Sequence, residues 1–515
     1  MSAVLACDIG GTSIRAALID RDGTTIAERR AGSPTQQDRG ASSEIDPETW
    51  WRLFVVLTAT IASDAGKRFD EVDAVAICGV TRTQVILGGD GRVLRPAMTW
   101  RDTRAEPLIK RLLARLPTDH PERARVNAFH PLARLAWLAE HEPRVLEAAA
   151  AVVDPKDFFN YRLTGRVATD FVSGARLAAA AAPAPGGTSL LAAAGIGDHL
   201  LPPRLAPTEK VGSIVADLPR PLERLAGRPV FCLANDTWAA VLGLGALRAG
   251  FAYNISGTTD VLGVVSAAPL AAEGLMAVEW GPGLHHLGGP SQNGADTVAW
   301  LVDLLDKPGS NAPVGLVLDR LLAEPRDTQP ILFLPYLQGE RTPYWDAALR
   351  GAALGLNRRH TRTDFAWAVL ESIAFLNRLV LERAEAALGR AVEEIRFGGG
   401  GAANEIWCQI KADICERPVA VGDAPEPGVL GCAIAARVGL GQYATLVAAQ
   451  DALVRIARRY QPRIEHRAAY RKLYALYRSA EAGLRPLSHA LSDIDGRRDP
   501  LPGVAAASNM ENLPQ

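Results

Sequence analysis

Val4-Leu5-Ala6-Cys7-Asp8-Ile9-Gly10-Gly11-Thr12-Ser13-Ile14 opens with an apolar run, one aspartate, and a glycine pair followed by two hydroxyl residues. A short apolar run bounded by glycines reads as a strand ending at Asp8, with a tight reversal into a second strand from Ile14 to Ile19. Asp22-Gly23 then turns the chain into a third strand around Thr25 to Ala27, so the first element is an antiparallel meander. The first reversal also has a chemical use. Glycines let backbone amides approach an anion, Thr12 and Ser13 add hydroxyl donors, and an aspartate at a strand end can hold Mg²⁺, usually through water. Gly11, Thr12 and Ser13 are therefore candidate phosphate contacts, and Asp8 a candidate metal-associated residue. A tight hairpin with a structural aspartate would carry the same pattern.

The plan recurs roughly 245 residues later: Phe251 to Ile255 reads as a strand, Gly257-Thr258-Thr259 as a turn, and Val261 to Val265 as the return strand. Two such turns suggest duplicated halves facing one ligand. Between them, Asp46-Pro47 marks a helix start and the helix is expected through about Ala65, since Asp accepts from free amides and Pro loses no needed donor at the first position. Val72 to Ile77 and Gln84 to Leu87 read as strands, the latter followed by a Gly89-Asp90-Gly91 turn and a return towards Trp100. Strands alternate with helices, which gives an α/β class. Residues 178–197 have a linker's composition, yet apolar chemistry resumes after them with no change of domain signal until about Gly245. Thr361 with Asp364 predicts a capping box. Phe365, Val369, Ile373, Leu376 and Val380 follow at helical spacing as a core stripe that Gly389 ends. Residues 486–515 turn polar and read as a flexible tail.

At 515 residues the chain is too long for one ordinary core, and two large halves account for it. A composition of 48% hydrophobic and 22% charged residues is that of a globular protein. Lys plus Arg at 56 nearly cancels Asp plus Glu at 57, so no basic field favours nucleic acid or anionic lipid, and a small molecule is the expected partner. The six cysteines are far apart and form no C-x-x-C pair, so they read as reduced, buried thiols. The chain opens directly into a strand without a leader pattern, and no apolar run approaches the ~20 residues of a membrane span. The cytoplasm is the expected compartment.

Two more segments carry chemistry. Phe397 leads into Gly398-Gly399-Gly400-Gly401-Ala402 and then a helix containing Trp407 and Gln409, where bare backbone would let a flat ring or ribose lie against the chain. Asn235-Asp236-Thr237 follows the apolar stretch Val230 to Leu233 and precedes a small-residue helix. An aspartate there could accept the proton of an attacking hydroxyl, although in isolation such a residue is more often a helix cap. With no G-x-x-x-x-G-K-[ST] and no well-placed G-x-G-x-x-G, P-loop and Rossmann sites are disfavoured.

Taken in order over about residues 4 to 480, these pieces resemble the FGGY carbohydrate kinase family. The resemblance also rests on Trp100-Arg101-Asp102-Thr103-Arg104, Pro155-Lys156-Asp157 with Tyr161-Arg162-Leu163-Thr164-Gly165, Leu337-Gln338-Gly339-Glu340-Arg341-Thr342-Pro343, and the segment from Gly399 to Asp413. It implies an α/β fold of two actin-like (ribonuclease H-like) ATPase domains with a cleft between them, 1–246 binding sugar and 247–485 binding MgATP. The implied activity is ATP-dependent phosphorylation of a hydroxyl of a small sugar, sugar acid or polyol, with a homodimer left open. The alternative is a non-catalytic actin-like nucleotide-binding regulatory or scaffold protein. On this resemblance Asp236 matches the catalytic base and Asp8 the Mg²⁺-associated aspartate. Thr12 and Thr258, with Gly257, match phosphate-turn positions, and Gly400, Gly401 and Asn404 fall in the adenosine motif. Trp100 and Asp102 lie on the substrate side.

Departures from the family pattern are informative. Gly79-Val80-Thr81-Arg82-Thr83 stands where xylulokinases have G-Q-M-H-G, so Thr81 and Arg82 replace a sugar-facing Met-His pair. An arginine can fork onto a carboxylate or span neighbouring hydroxyls, which points to an acid sugar or a polyol; the alternative is an Arg82 paired with a structural carboxylate. Asn235 stands where Gly commonly precedes the base, and Thr237 replaces the following Asn. Asp260 follows the second turn where Gly is usual, and a carboxylate beside phosphate is repulsive unless a cation or a turned-away geometry intervenes.

Overall fold

The computed structural model describes residues 2–34, 36–257, 259–305, 312–327 and 329–494. The chain divides into two compact units, one comprising Met1–Ala249, Val278–His285 and Gly422–Ile456, the other Gly250–Ala277, His286–Val421 and Ala457–Gln515. The expected boundary after residue 246 lies close to the first crossing. Gly422–Ile456, however, was expected with the second half and packs in the first unit.

In the first unit, β1 (Ala3–Ile9), β2 (Ser13–Asp20) and β3 (Thr25–Gly32) form the antiparallel meander, the third strand running five residues beyond its expected end at Ala27. Asp46 caps α1 (Pro47–Ala65), its carboxylate accepting from the Glu48 amide at 3.0 Å. There follow β4 (Val72–Gly79), α2 (Pro131–His141), α3 (Pro155–Thr164), β5 (Lys210–Ser213), β6 (Pro229–Phe231) and α4 (Asp236–Gly243). The sheet order is β5-β6-β4-β1-β2-β3, with β4 parallel to both β1 and β6. β1 is thus central and covered on both faces, which is why its sequence is an almost unbroken apolar run. Trp51, Phe54 and Phe159 pack with ring centroids 5.3 to 5.7 Å apart, joining α1 to α3 over the sheet. The linker-like stretch 178–197 enters the core through Ala180, Leu190, Leu191 and Ile196.

The second unit repeats the plan. β7 (Ala252–Ser256) and β8 (Asp260–Ser266) form a hairpin, followed by β9 (Leu284–Ser291), α5 (Ala295–Leu305), α6 (Val314–Ala323), α7 (Arg362–Leu388), β10 (Ile395–Gly398), α8 (Glu405–Cys415) and β11 (Val419–Gly422). The central strands of its sheet run β9-β8-β7-β10-β11, with β10 parallel to β7 and to β11. The capping box at Thr361 and Asp364 is present, and Gly389 ends α7 in the left-handed conformation.

The chain then returns to the first unit as α9 (Pro427–Gly439) and re-enters the second as α10 (Ile464–Asp493). The flexible tail expected from 486 is therefore corrected: the helix continues to Asp493 with Ser488 buried, and residues 495–515 lie outside the described residues. Tyr470, Tyr474 and Tyr477 hold α10 in place with centroids 5.3 to 6.4 Å from the Phe375 ring. All six cysteines are free and buried. Among the described residues, no helix is long and apolar enough to cross a membrane.

Candidate active site

In the first unit the β1–β2 reversal is closed by the Gly10 amide donating to the Ser13 carbonyl at 2.9 Å. Ser33, just past β3, fixes it further: its hydroxyl donates to the Gly10 carbonyl at 2.7 Å and its amide to the Thr12 carbonyl at 3.0 Å. Gly11 and Thr12 are exposed at the tip. Ser13 is 2% exposed as the first residue of β2, so of the two hydroxyl residues Thr12 is the exposed one. A Cβ on Gly11 would lie 3.9 Å from the Trp100 indole nitrogen, which puts that ring beside the turn.

Asp8 and Asp236 meet in one environment. Asp236 is the first residue of α4, entered through Leu233 in the left-handed region (φ 50°) and capped by Asn235, whose side chain accepts from the Trp238 amide at 3.0 Å. With Asn235 as the cap, Asp236 is released from that role. Its Oδ1 accepts from the Thr237 amide at 2.6 Å and the Thr237 hydroxyl at 3.2 Å, and burial raises its carboxyl against those two donors. Burial first, and then the charge of Asp236, pushes Asp8 up to about 7, opposed by Arg15. Asp8 Oδ1 is buried with no hydrogen-bond partner among the described residues, a condition that suits a hydrated cation. The same carboxylate lies under α9, where a Cβ on Gly428 would come within 2.7 Å of Asp8 Oδ2.

Arg82 stands on a left-handed backbone (φ 59°), and Thr81 donates to Asp154 Oδ2 at 3.5 Å. Sequence reasoning missed the residue that sets this loop. Arg134 on α2, with no measurable exposure, donates to the carbonyls of Arg82 and Thr99 at 2.7 Å each and to Gln84 Oε1 at 3.1 Å. One guanidinium thereby ties the Thr81-Arg82 loop to the approach to Trp100. The only sequence signal was an arginine on the apolar face of a helix. Asp102 is corrected as a substrate contact. It is fully buried, and its carboxylate accepts from the Ser43 amide at 2.8 Å and from Arg104 Nε and Nη2 at 2.6 to 3.0 Å, making it an internal brace. Lys156 and Asp157 are likewise internal. Lys156 Nζ lies 2.5 Å from Asp157 and 2.8 Å from Asp170, and 3.4 Å from the Cys232 carbonyl on the approach to Asp236.

In the second unit the Gly257 amide donates to the Thr259 carbonyl at 2.9 Å, and the Ala295 amide at the start of α5 donates to the Gly257 carbonyl at 3.0 Å. Thr258 lies outside the described residues. Glu340, from the Gly-Glu-Arg-Thr-Pro stretch, receives the Gln292 amide at 2.6 Å, the Ser291 hydroxyl at 2.8 Å and the Asn293 side chain at 2.9 Å, bracing the run into α5. The glycine loop after β10 is pressed onto the hairpin, since a Cβ on Gly399 would come within 2.4 Å of the Ser256 carbonyl oxygen. Beside it is a cavity of about 510 Å³ lined by Asp296, Val298, Leu318, Gly400, Gly401, Asn404 and Trp407 among others. The expected Gly400, Gly401 and Asn404 are thus brought together. Asn404 caps α8 through the Trp407 amide at 2.7 Å and donates to Asp319 at 2.7 Å. Asp260 is 1% exposed and faces the core.

The N-terminal domain model of the FGGY family of carbohydrate kinases matches residues 3–243, and the C-terminal domain model matches residues 252–440. The chain belongs to this family. Among relatives, the xylulose kinase of Bacillus subtilis (strain 168) is 26% identical over 96% of this chain and 99% of its own length. The glycerol kinase of Bordetella parapertussis is 30% identical over 86% of this chain and 90% of its own length. A crystal structure titled as a xyloylose kinase from Brucella ovis superposes with a TM-score of 0.82 at 26% identity, covering 95% of this chain and all of that one. As an FGGY kinase the chain has the two actin-like, ribonuclease H-like domains of the family and is a carbohydrate kinase, a phosphotransferase that uses ATP to phosphorylate a small sugar. The reading as a non-catalytic scaffold is not favoured.

Proposed function

We propose that Asp236 is the general base of this FGGY kinase, that Asp8 holds Mg²⁺ through water, and that the acceptor is a sugar acid or polyol. The observation that carries the assignment of the base is geometric: Asn235 takes the cap of α4, and Asp236, the first residue of that helix, has its Oδ1 held by Thr237. Burial and then the charge of Asp236 raise Asp8 to about 7, a shift that a bound cation would oppose, and the unpartnered Asp8 Oδ1 offers an oxygen to the hydration shell of one. When held through water by Asp8, Mg²⁺ would supply positive charge to offset that of the phosphates.

The chain's own residues do the rest. Thr237 fixes Asp236 through Oδ1, which leaves Oδ2 to take the proton of the acceptor hydroxyl as its oxygen attacks in line. Burial raises the proton affinity of Asp236, bringing the base nearer to neutral operating pH. In the first unit Thr12 and the Gly10-Gly11 backbone would contact phosphate, and in the second Gly257 and Thr258 keep the phosphate role that the family resemblance implies. Gly400, Gly401 and Asn404 would receive adenosine in the 510 Å³ cavity.

Arg82 and Trp100 form the acceptor side. The acid-sugar reading rests on an arginine at the Met-His position of xylulokinases, whose guanidinium can fork onto a carboxylate; its charge reaches the buried Arg134 and His130, in surroundings that also hold the carboxylates of Asp102, Asp154 and Glu122. A panel of aldonates, polyols and ketopentoses tests it. We expect an aldonate or polyol to exceed D-xylulose in kcat/KM by about tenfold or more, the discrimination a paired polar group supplies. Preference for D-xylulose would end the acid-sugar reading and leave the base assignment standing.

A further inference from the structure

Beneath the β7–β8 hairpin lies a buried polar network that phosphoryl transfer itself does not call for. Asp260, Asn254, Asn377 and Lys411 are each at most 3% exposed and come from β8, β7, α7 and α8. Asp260 Oδ2 accepts from the side-chain amides of Asn254 and Asn377, both at 2.7 Å. The carbonyl oxygens of those same two side chains accept from Lys411 Nζ, the Asn254 bond at 2.6 Å. Lys411 Nζ stands 3.7 Å from Asp260 Oδ1, and 4.8 Å and 5.1 Å from the ring centroids of Phe397 and Trp407. Two amides therefore bridge one buried cation to one buried anion.

The cost of such a network needs a reason. Against well-packed apolar residues a buried ion pair is commonly neutral or unfavourable for stability, whereas removing one partner is strongly unfavourable. What it supplies is fixed geometry, and its two charged ends belong to the two parts of the nucleotide site. Asp260 directly follows Thr259 and closes the second hairpin. Lys411 lies over Trp407, whose ring lines the 510 Å³ cavity. A Cβ on Gly401 would come within 2.7 Å of that ring and 2.9 Å of Ser256 Cβ, so hairpin, glycine loop and cavity wall are in contact with no slack.

We infer that Asp260 and Lys411 are positioning residues for nucleotide binding, holding the β7–β8 hairpin in register with the adenosine cavity. The inference rests on the proposed nucleotide site and deepens it. The turned-away carboxylate also removes the repulsion expected of an aspartate at this position.

The test reads nucleotide affinity apart from turnover: Kd of MgADP by calorimetry, with KM for sugar and Tm measured in parallel, on the full chain and on Asp260→Asn, Lys411→Met and the double variant. Each single variant leaves one charge buried without its counterion and should weaken MgADP binding by about tenfold or more, with KM for sugar within about twofold. The double variant should recover to within about threefold of the parent. Single variants that lose Tm while keeping parental MgADP affinity, or a double variant no better than either single one, would overturn the inference. If a single variant does not fold, Asn377→Ala decides, because it keeps both charges and removes one bridge. It should bind MgADP about threefold or more weakly, and unchanged binding overturns the inference. A parent chain that binds no MgADP would instead refute the proposed nucleotide site.

Discussion

Asp102 and Asp236 are both aspartates beside a tryptophan-containing segment that the family resemblance brings to the substrate. Their surroundings separate them. The Asp102 carboxylate is consumed by Arg104 and the Ser43 amide, whereas Asp236 has one oxygen held by Thr237 and shares its environment with Asp8. A buried carboxylate with a full set of donors is a brace, and removing it leaves those donors unpaired. One that is partly committed and close to another carboxylate is available for proton transfer. Replacing Asp236 by Ala should therefore lower kcat by on the order of 10²–10⁴ while the Tm and the Kd for MgADP stay near parental values. Steady-state kinetics beside a thermal melt checks this, and near-normal turnover would remove Asp236 from the mechanism.

At the scale of elements, both hairpins, α1 and the α7 capping box were legible because each is set by local chemistry: glycine at a reversal, aspartate at a cap, and apolar spacing along a face. The candidate turn residues were legible for the same reason. The return of α9 into the first unit was not, since it depends on a surface match between segments nearly 200 residues apart in the chain. A Cβ on Gly431 would come within 1.8 Å of the Ala239 carbonyl oxygen, and one on Gly243 within 1.8 Å of the Pro427 carbonyl oxygen, so α4 and α9 approach backbone to backbone. The buried Arg134 and Lys411 were illegible too, because a charge inside a protein is identified only by partners from other elements. Gly431→Ala should thus destabilise the fold by roughly 1–3 kcal/mol, the usual cost of forcing atoms into a packed contact. Gly483, exposed in the interior of α10 with open space around its Cα, should respond oppositely, and Gly483→Ala should stabilise by about 0.5–1 kcal/mol. Urea unfolding of the two variants compares them, and equal responses would contradict the backbone-contact account of α4 and α9.

At the scale of the whole molecule, two units built on one plan each bury a neutral histidine in polar surroundings, which couples the fold to pH. His130 on the first unit's substrate side is lowered by burial, against the pull of Glu122, whose carboxylate Oε1 lies 3.2 Å from its Nε2. In the second unit burial lowers His286 to about 4, with Nδ1 hydrogen-bonded to the Tyr253 hydroxyl at 2.9 Å and Gly263 packed against the ring. A folded-state value below the unfolded one means that the unfolded chain takes up the proton first. The stability His286 provides is therefore complete above the unfolded value of 6.5 and declines as pH falls from there to about 4. Over that interval the loss approaches about 3 kcal/mol for this one group. His286→Gln keeps an acceptor for Tyr253 and removes the titration, so its unfolding free energy should fall less steeply than the parent's between pH 6.5 and 4, by the equivalent of about one proton. Denaturant unfolding at several pH values measures both slopes. Parallel curves would mean that the ring gains its proton in the folded chain as readily as in the unfolded one, and that its burial against Gly263 of β8 and Tyr253 of β7 is breached by water.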